Sequence, residues 1–292
     1  MIKFDSDFLK KLEYLYLVSK KIFRGQVRSE RQTRSIGASV EFADYRNYIH
    51  GDDLRYIDWN AYGRMNRLFI KLFEEEEDLH IYFLIDVSRS MQWDGSVKLD
   101  YAKRTAAALA YIGLANLDRV DLFYFSGQLH EQMGMTRGKG QIRKVFKFLE
   151  KEGAPPAETN FRVSLKNFVH QNKRRGLAVV LSDFFDPQGC EEGIRYLQYH
   201  KFEVYLLQVL NRSEAEPDFL GDFRLMDVES GRGREVTVNE QLLARYRTTF
   251  QAFCDRLDEF ATGRQIGCLR TFTEVPFDEL VLKILRQGKF VA

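Results

Sequence analysis

The stretch Leu79-His80-Ile81-Tyr82-Phe83-Leu84-Ile85-Asp86-Val87-Ser88-Arg89-Ser90-Met91 decides how this chain is read. From Leu79 to Ile85 it is a nearly unbroken apolar run, the pattern of a strand covered on both faces rather than one alternating between core and water. The run stops on a carboxylate. Oxygen-bearing side chains then alternate at Asp86, Ser88 and Ser90, before a helical pattern expected to begin near Val97.

Outward from this stretch the same unit recurs. The helical tract SVKLDYAKRTAAALAYIGLANL is followed by the strand-like RVDLFYF, and GLAVVLSD by CEEGIRYLQYH and KFEVYLLQVL. EQLLARYRTTFQAFCDRLDEFATGRQ reads as one long helix, with CLRTF and PFDELVLKILRQ as a last strand and helix. Short β-rich runs alternating with helices predict an α/β fold, a doubly wound and mostly parallel sheet with helices on both faces. The expected organisation is an N-terminal helix plus irregular or β-containing region over 1–78 and an α/β domain over 79–292. In the first region Phe8, Leu12, Leu15, Ser19 and Ile22 fall at helical spacing and predict an amphipathic helix docked on something else.

Ligands of doubly wound sheets sit beyond the carboxyl ends of strands where the strand order reverses. A second apolar strand, Gly176 to Ser182, also runs into a carboxylate, Asp183, and is expected to bring it opposite Asp86. Thr159, just before a helix at Phe161, offers a further neutral oxygen. Hydroxyls beside carboxylates suit a hard cation such as Mg²⁺. The competing reading is helix capping, since Asp and Ser also satisfy free backbone donors at strand-to-helix turns.

These residues resemble the von Willebrand factor A-like domain with its metal-ion-dependent adhesion site, whose signature is DxSxS, a later Thr and a later Asp after a hydrophobic strand. The strings Tyr45-Arg46-Asn47-Tyr48, Gly51 to Asn60 and Lys71 to Glu76 are similar to the domain of unknown function 58 family. The resemblance implies metal ligation by Asp86, Ser88, Ser90, Thr159 and Asp183, with Mg²⁺ or Mn²⁺ as the ion. It also implies a non-enzymatic adaptor or co-chaperone role beside a MoxR-type AAA+ ATPase, with a client or partner supplying an acidic side chain to the ion. Two positions depart from the common pattern: Phe184 stands where Gly follows the final Asp, and Asn160 follows Thr159 where relatives often carry Asp.

His50, Asp52, Asp53 and Asp58 cluster within nine positions and allow an alternative, a metal-dependent hydrolase that also uses Asp86 and Asp183. The plainer reading of that segment is a capped short helix with Arg55 paired and Trp59 packed. Arg55, Asp58, Trp59 and Phe184 are the candidate partner contacts.

Composition narrows the remaining classes. The 292 residues carry 44 basic and 42 acidic side chains, a net charge of +2, so whole-molecule charge argues for neither nucleic acid nor an anionic membrane. Between Lys10 and Arg34 there are eight basic residues against Glu13 and Glu30, so nucleic-acid binding through segment 20–34 stays as a minor alternative. No apolar run reaches the roughly 18 residues of a membrane span and no signal core opens the chain, so a cytoplasmic protein without membrane insertion is expected. Cys190, Cys254 and Cys268 lack paired spacing and read as idle or buried thiols. The tract Gly134 to Gly140, GMTRGKG, lacks the length and terminal hydroxyl of a phosphate-binding loop.

Overall fold

The computed structural model describes residues 4–30, 41–74, 79–151, 158–228 and 231–287. The chain divides into two compact units, Met1–Ile22 with Leu79–Ala292, and Phe23–Asp78.

A long helix, α1 (Ser6–Glu30), opens the chain. Phe8, Leu12, Leu15 and Ser19 are buried along one stripe, as their spacing predicts, while Ile22 has a side chain outside the described set. The partner of this stripe is the larger unit: the Phe8 ring meets Phe146 and Phe277 at 6.1 and 5.0 Å between centroids, and Tyr16 meets Tyr111 edge-on. The expected division at residue 78 is therefore corrected at its start, because the apolar face of α1 is buried by the α/β unit. The side chains of the basic segment lie outside the described residues from position 22 onward.

The smaller unit is a hairpin of β1 (Glu41–Asn47) and β2 (Phe69–Glu74), paired antiparallel, with α2 (Trp59–Met65) between them. Its core is small: Ile57 and Ile70, with Tyr48, Tyr56 and Leu68 packed against them. Of the acidic stretch Glu74 to Asp78, residues 75–78 lie outside the described residues.

In the larger unit β3 (His80–Asp86) leads into α3 (Arg89–Ala115), then β4 (Arg119–Phe125) and the short strands β5 (Leu129–Gln132) and β6 (Thr136–Arg137). Helices α4 (Ile142–Leu149) and α5 (Phe161–Gln171) precede β7 (Leu177–Ser182), α6 (Glu191–Tyr199) and β8 (Glu203–Leu210). A single turn of helix, α7 (Arg212–Ala215), is followed by a separate hairpin, β9 (Gly221–Met226) and β10 (Gly233–Val238). Helix α8 (Glu240–Gly263), strand β11 (Gly267–Phe272) and helix α9 (Phe277–Arg286) complete the unit.

The main sheet runs β11-β8-β7-β3-β4-β5, with β6 also on β4. β11, β8, β7, β3 and β4 are mutually parallel, and only the edge pieces β5 and β6 run antiparallel. The fold is thus the expected doubly wound, mostly parallel α/β architecture. Side-chain alternation sends Tyr82, Leu84, Ala178 and Val180 into a core with Phe161, Phe168, Ile194 and Leu257. The opposite face takes Ile81, which lies close to Gly113 of α3. After β3 the chain moves to β4 on one side, then crosses to β7 on the other, so the order reverses at β3 and β7. Such a reversal is where doubly wound sheets bind ligands, and here it falls at Asp86 and Asp183.

Helix α3 begins at Arg89, eight residues before the expected start near Val97. Gly95 and Ser96 take left-handed φ of 69° and 65° inside the helical segment. Met91 and Leu99, buried on either side of that irregularity, hold it against the sheet.

Candidate functional site

β3 ends on Asp86, which is fully buried, and its register with β7 sets Ile85 beside Leu181. The next residue of β7, Ser182, donates its hydroxyl to Asp86 Oδ2 at 2.6 Å and accepts from the Phe184 amide at 2.8 Å. Asp86 Oδ1 accepts from the Ser88 amide at 2.9 Å, which turns the chain sharply after the strand. Ser88 is the residue before α3, yet its side chain makes no cap bond. Its hydroxyl instead lies 3.0 Å from that of Ser90, in the first helical turn. The capping reading thus accounts for the carboxylate of Asp86 but not for the hydroxyl of Ser88.

Asp183 follows β7 directly and is buried. Its Oδ1 accepts from the Phe185 amide at 3.1 Å and its backbone carbonyl from Gln208 of β8. Burial, then the charge of Asp183, holds the Asp86 carboxyl above the usual carboxylate range, so the two acids sense one another as their adjoining strands require.

Thr159 arrives from the other side. Asn160 donates its amide to Ser126 O at the end of β4, and Ser164 donates its hydroxyl to the same carbonyl. Gly127 lets this loop approach, since a Cβ there would stand 3.1 Å from Glu158 O. Asn160, the departure from the common pattern, caps α5 by accepting from the Val163 amide, and Asp186 accepts from the Phe161 amide at 2.9 Å, tying this loop to the one after β7. Within that frame Thr159 Oγ1 is buried and, among the described residues, has no hydrogen-bond partner. Such an orphan costs free energy unless something else meets it.

Two carboxylates and the Ser88 and Ser90 hydroxyls stand at the adjoining ends of β3 and β7, and oxygens of this kind suit a small hard cation. Among the described residues no group of three or more His, Cys, Asp or Glu side chains could hold a metal ion.

One resident cation was not foreseen. Lys98 of α3 has no exposed surface and donates to Asp183 Oδ2 at 2.7 Å and to Glu214 Oε1 of α7 at 2.5 Å. Burial alone would lower its pKa, but the charges of Asp183 and Glu214 outweigh that and hold it above the ordinary lysine value. Lysines inside helices are usually solvated, so nothing local in the sequence marks this one. Ser182 was likewise missed, although it adjoins Asp183 in the quoted strand.

The candidate partner contacts fare unevenly. Phe184 is 2% exposed, stacks on Phe161 at 5.3 Å and has a left-handed φ of 64°, so it is a core ring and not a partner contact. Asp58 is also buried and structural: it caps α2 by accepting from the Asn60 and Ala61 amides and accepts from the Tyr45 hydroxyl at 2.6 Å. Arg55 is paired with Asp53, which caps the single turn at 54–56, as the plainer reading had it. Trp59 is not packed: it is 63% exposed, edge-on to Tyr62. Asp52 holds Arg46 and the Ile49 amide.

No helix among the described residues is long and apolar enough to cross a membrane. Cys190 and Cys254 are buried free thiols, and Cys268 is a partly exposed one.

Relatives extend over most of the chain. It is 24% identical over 242 residues to the uncharacterized protein Mb1516 of Mycobacterium bovis, covering 82% of this chain and 76% of that one. A second relative, the uncharacterized protein MAV169 of Mycobacterium avium, is 36% identical over 95 residues, 32% of this chain and 54% of its own. Among solved structures, the conserved hypothetical protein BatB from Bacteroides thetaiotaomicron is similar over 73% of this chain and 98% of its own, with 14% identity and a TM-score of 0.47. Proximal thread matrix protein 1 from the mussel byssus, with a zinc-occupied MIDAS motif, is similar over 73% of this chain and 48% of its own, with 15% identity and a TM-score of 0.42. The family described as Protein of unknown function DUF58 matches residues 44–255, and with that span the chain belongs to the DUF58 family.

Proposed function

We propose that this protein is a non-enzymatic, metal-dependent protein-interaction module. Mg²⁺ or Mn²⁺ would be held by Asp86, Ser88, Ser90, Thr159 and Asp183, directly or through water. When bound, the ion supplies an electrophilic anchor for a carboxylate of another protein. Neutral hydroxyls are the useful ligands here, because a divalent ion shared among few formal charges keeps its pull on an incoming acid. In this reading the protein is a cytoplasmic adaptor or co-chaperone of a MoxR-type AAA+ ATPase, and the acidic side chain comes from that ATPase or from its client.

The observation that carries the reading is the buried Thr159 hydroxyl, unpartnered among the described residues, on a loop fastened to the end of β4 beside the strand that carries Asp86. The hydroxyl of Ser88, which makes no cap bond and meets that of Ser90, supports it. The carboxylates a hydrolytic alternative would recruit, Asp52, Asp53 and Asp58, are engaged in caps and ion pairs of the smaller unit.

The test is a calorimetric Mn²⁺ titration of the full chain beside Ser88→Ala/Ser90→Ala, followed by capture of the MoxR-type ATPase with and without EDTA. Uptake by the parent, its loss in the double variant and EDTA-sensitive capture are expected. Normal uptake by the double variant would remove the site, and phosphoester or peptide turnover abolished by Asp183→Ala would replace the adaptor with a hydrolase.

A further inference from the structure

Lys98 is the buried charge that the ion-site reading does not use. Its ammonium stands on the same carboxylate, Asp183, that the ion would draw on, 2.7 Å from Oδ2. The other oxygen of Asp183 is spoken for by the Phe185 amide. Lys98 also has a second anchor that does not depend on the ion site. Glu214 gives it Oε1, while its Oε2 accepts from the Asn211 amide at 2.8 Å and its backbone carbonyl from the Tyr246 hydroxyl at 2.6 Å. The Phe185 ring, 5.3 Å from the ammonium, covers it on a further side.

An ammonium and a divalent cation seek the same oxygens, and like charges repel steeply in a buried, weakly screened site. A lysine with only Asp183 to hold it would either exclude the ion or be left unpaired in the interior. Glu214, fixed by its own bonds, removes that dilemma.

We infer that Lys98 is an internal counter-cation that competes with the divalent ion for Asp183 and falls back on Glu214 when the ion binds. The site then holds its ion reversibly and more weakly than its oxygens alone would. This deepens the ion-site reading above and rests on it.

The experiment is a calorimetric Mn²⁺ titration of the full chain and three variants, with circular dichroism and melting as controls on folding. Lys98→Met keeps the length and removes the charge, and is expected to tighten binding at least tenfold. Glu214→Gln weakens the fallback and is expected to loosen binding at least threefold. Lys166→Met removes a charge that serves Glu192 on the α5–α6 surface and should stay within twofold of the parent. Uptake by Lys98→Met but not by the parent would also support competition. Parent binding with no tightening in Lys98→Met, or equal tightening in Lys166→Met, overturns the role of Lys98 and leaves the ion site standing. If Lys98→Met does not fold, Glu214→Gln decides, and unchanged or tighter binding there overturns the inference. Absence of uptake by the parent and all variants overturns both.

Discussion

The hydroxyl of Ser182 donates to Asp86 Oδ2 at 2.6 Å, joining the last residue of β7 to the last residue of β3. The Ser182 hydroxyl oxygen also accepts from the Phe184 amide, so one small side chain aims the carboxylate and shapes the turn that follows. Ser182→Ala leaves a buried acid short of a donor and a buried amide short of an acceptor. The expected loss is about 1–3 kcal/mol in urea unfolding, with weaker Mn²⁺ binding. A change in neither quantity would show that Asp86 is positioned by the strand alone.

Thr159→Val separates a ligand from a structural hydroxyl. The shapes match, and the atom removed has no partner among the described residues, so ion-free stability should hold or rise. Mn²⁺ affinity should fall at least tenfold. Lower stability with unchanged affinity would assign the hydroxyl to the fold instead.

Phe184 combines a stacked core ring with a left-handed backbone, two demands that rarely coincide. Phe184→Ala is expected to cost about 3–5 kcal/mol for the lost ring. Phe184→Gly loses the same ring but relieves the backbone, so it should be at least as stable as the alanine variant, by up to about 1 kcal/mol. A glycine variant clearly less stable than the alanine one would contradict the conformational account.

Asp58 makes the smaller unit sensitive to acid. The Tyr45 hydroxyl first, then the Ala61 and Asn60 amides and Lys71, hold its carboxyl down at about 2, below the ordinary 3.8. A depressed folded-state value means that the stabilisation is fully present above the unfolded value and is lost as pH falls through about 2. Carboxyl NMR should place this titration well below those of exposed aspartates, and Tyr45→Phe should move it upward. A titration near 4 in the parent protein would rule out the Tyr45–Asp58 bond in solution.

Much of the larger unit was readable from residue order because its cues are local. β3, β7 and β8 are short apolar runs, and α8 and α9 carry clear helical stripes. α3 starts eight residues before the expected position near Val97 and runs across the left-handed Gly95 and Ser96, with Met91 and Leu99 buried on either side. The β9–β10 hairpin alternates Phe223 and Leu225, and Val236 and Val238, with polar residues, yet nearly every residue in it is exposed, so that pattern marks no core face. Phe184, expected as a partner contact, is a core ring, and its stacking on Phe161 could not be read from the loop sequence.

The sequence by itself determined the alternation of strands and helices, the doubly wound class, and the two carboxylates that follow apolar strands, because apolar periodicity and spacing are written along the chain. Only the tertiary structure decided what those residues meet. Strand order sets Asp86 beside Ser182, the fastening of a distant loop to Ser126 leaves Thr159 without a partner among the described residues, and the packing of α3 drives a lysine onto Asp183. These pairings join residues dozens of positions apart, and their energies depend on burial and mutual distance.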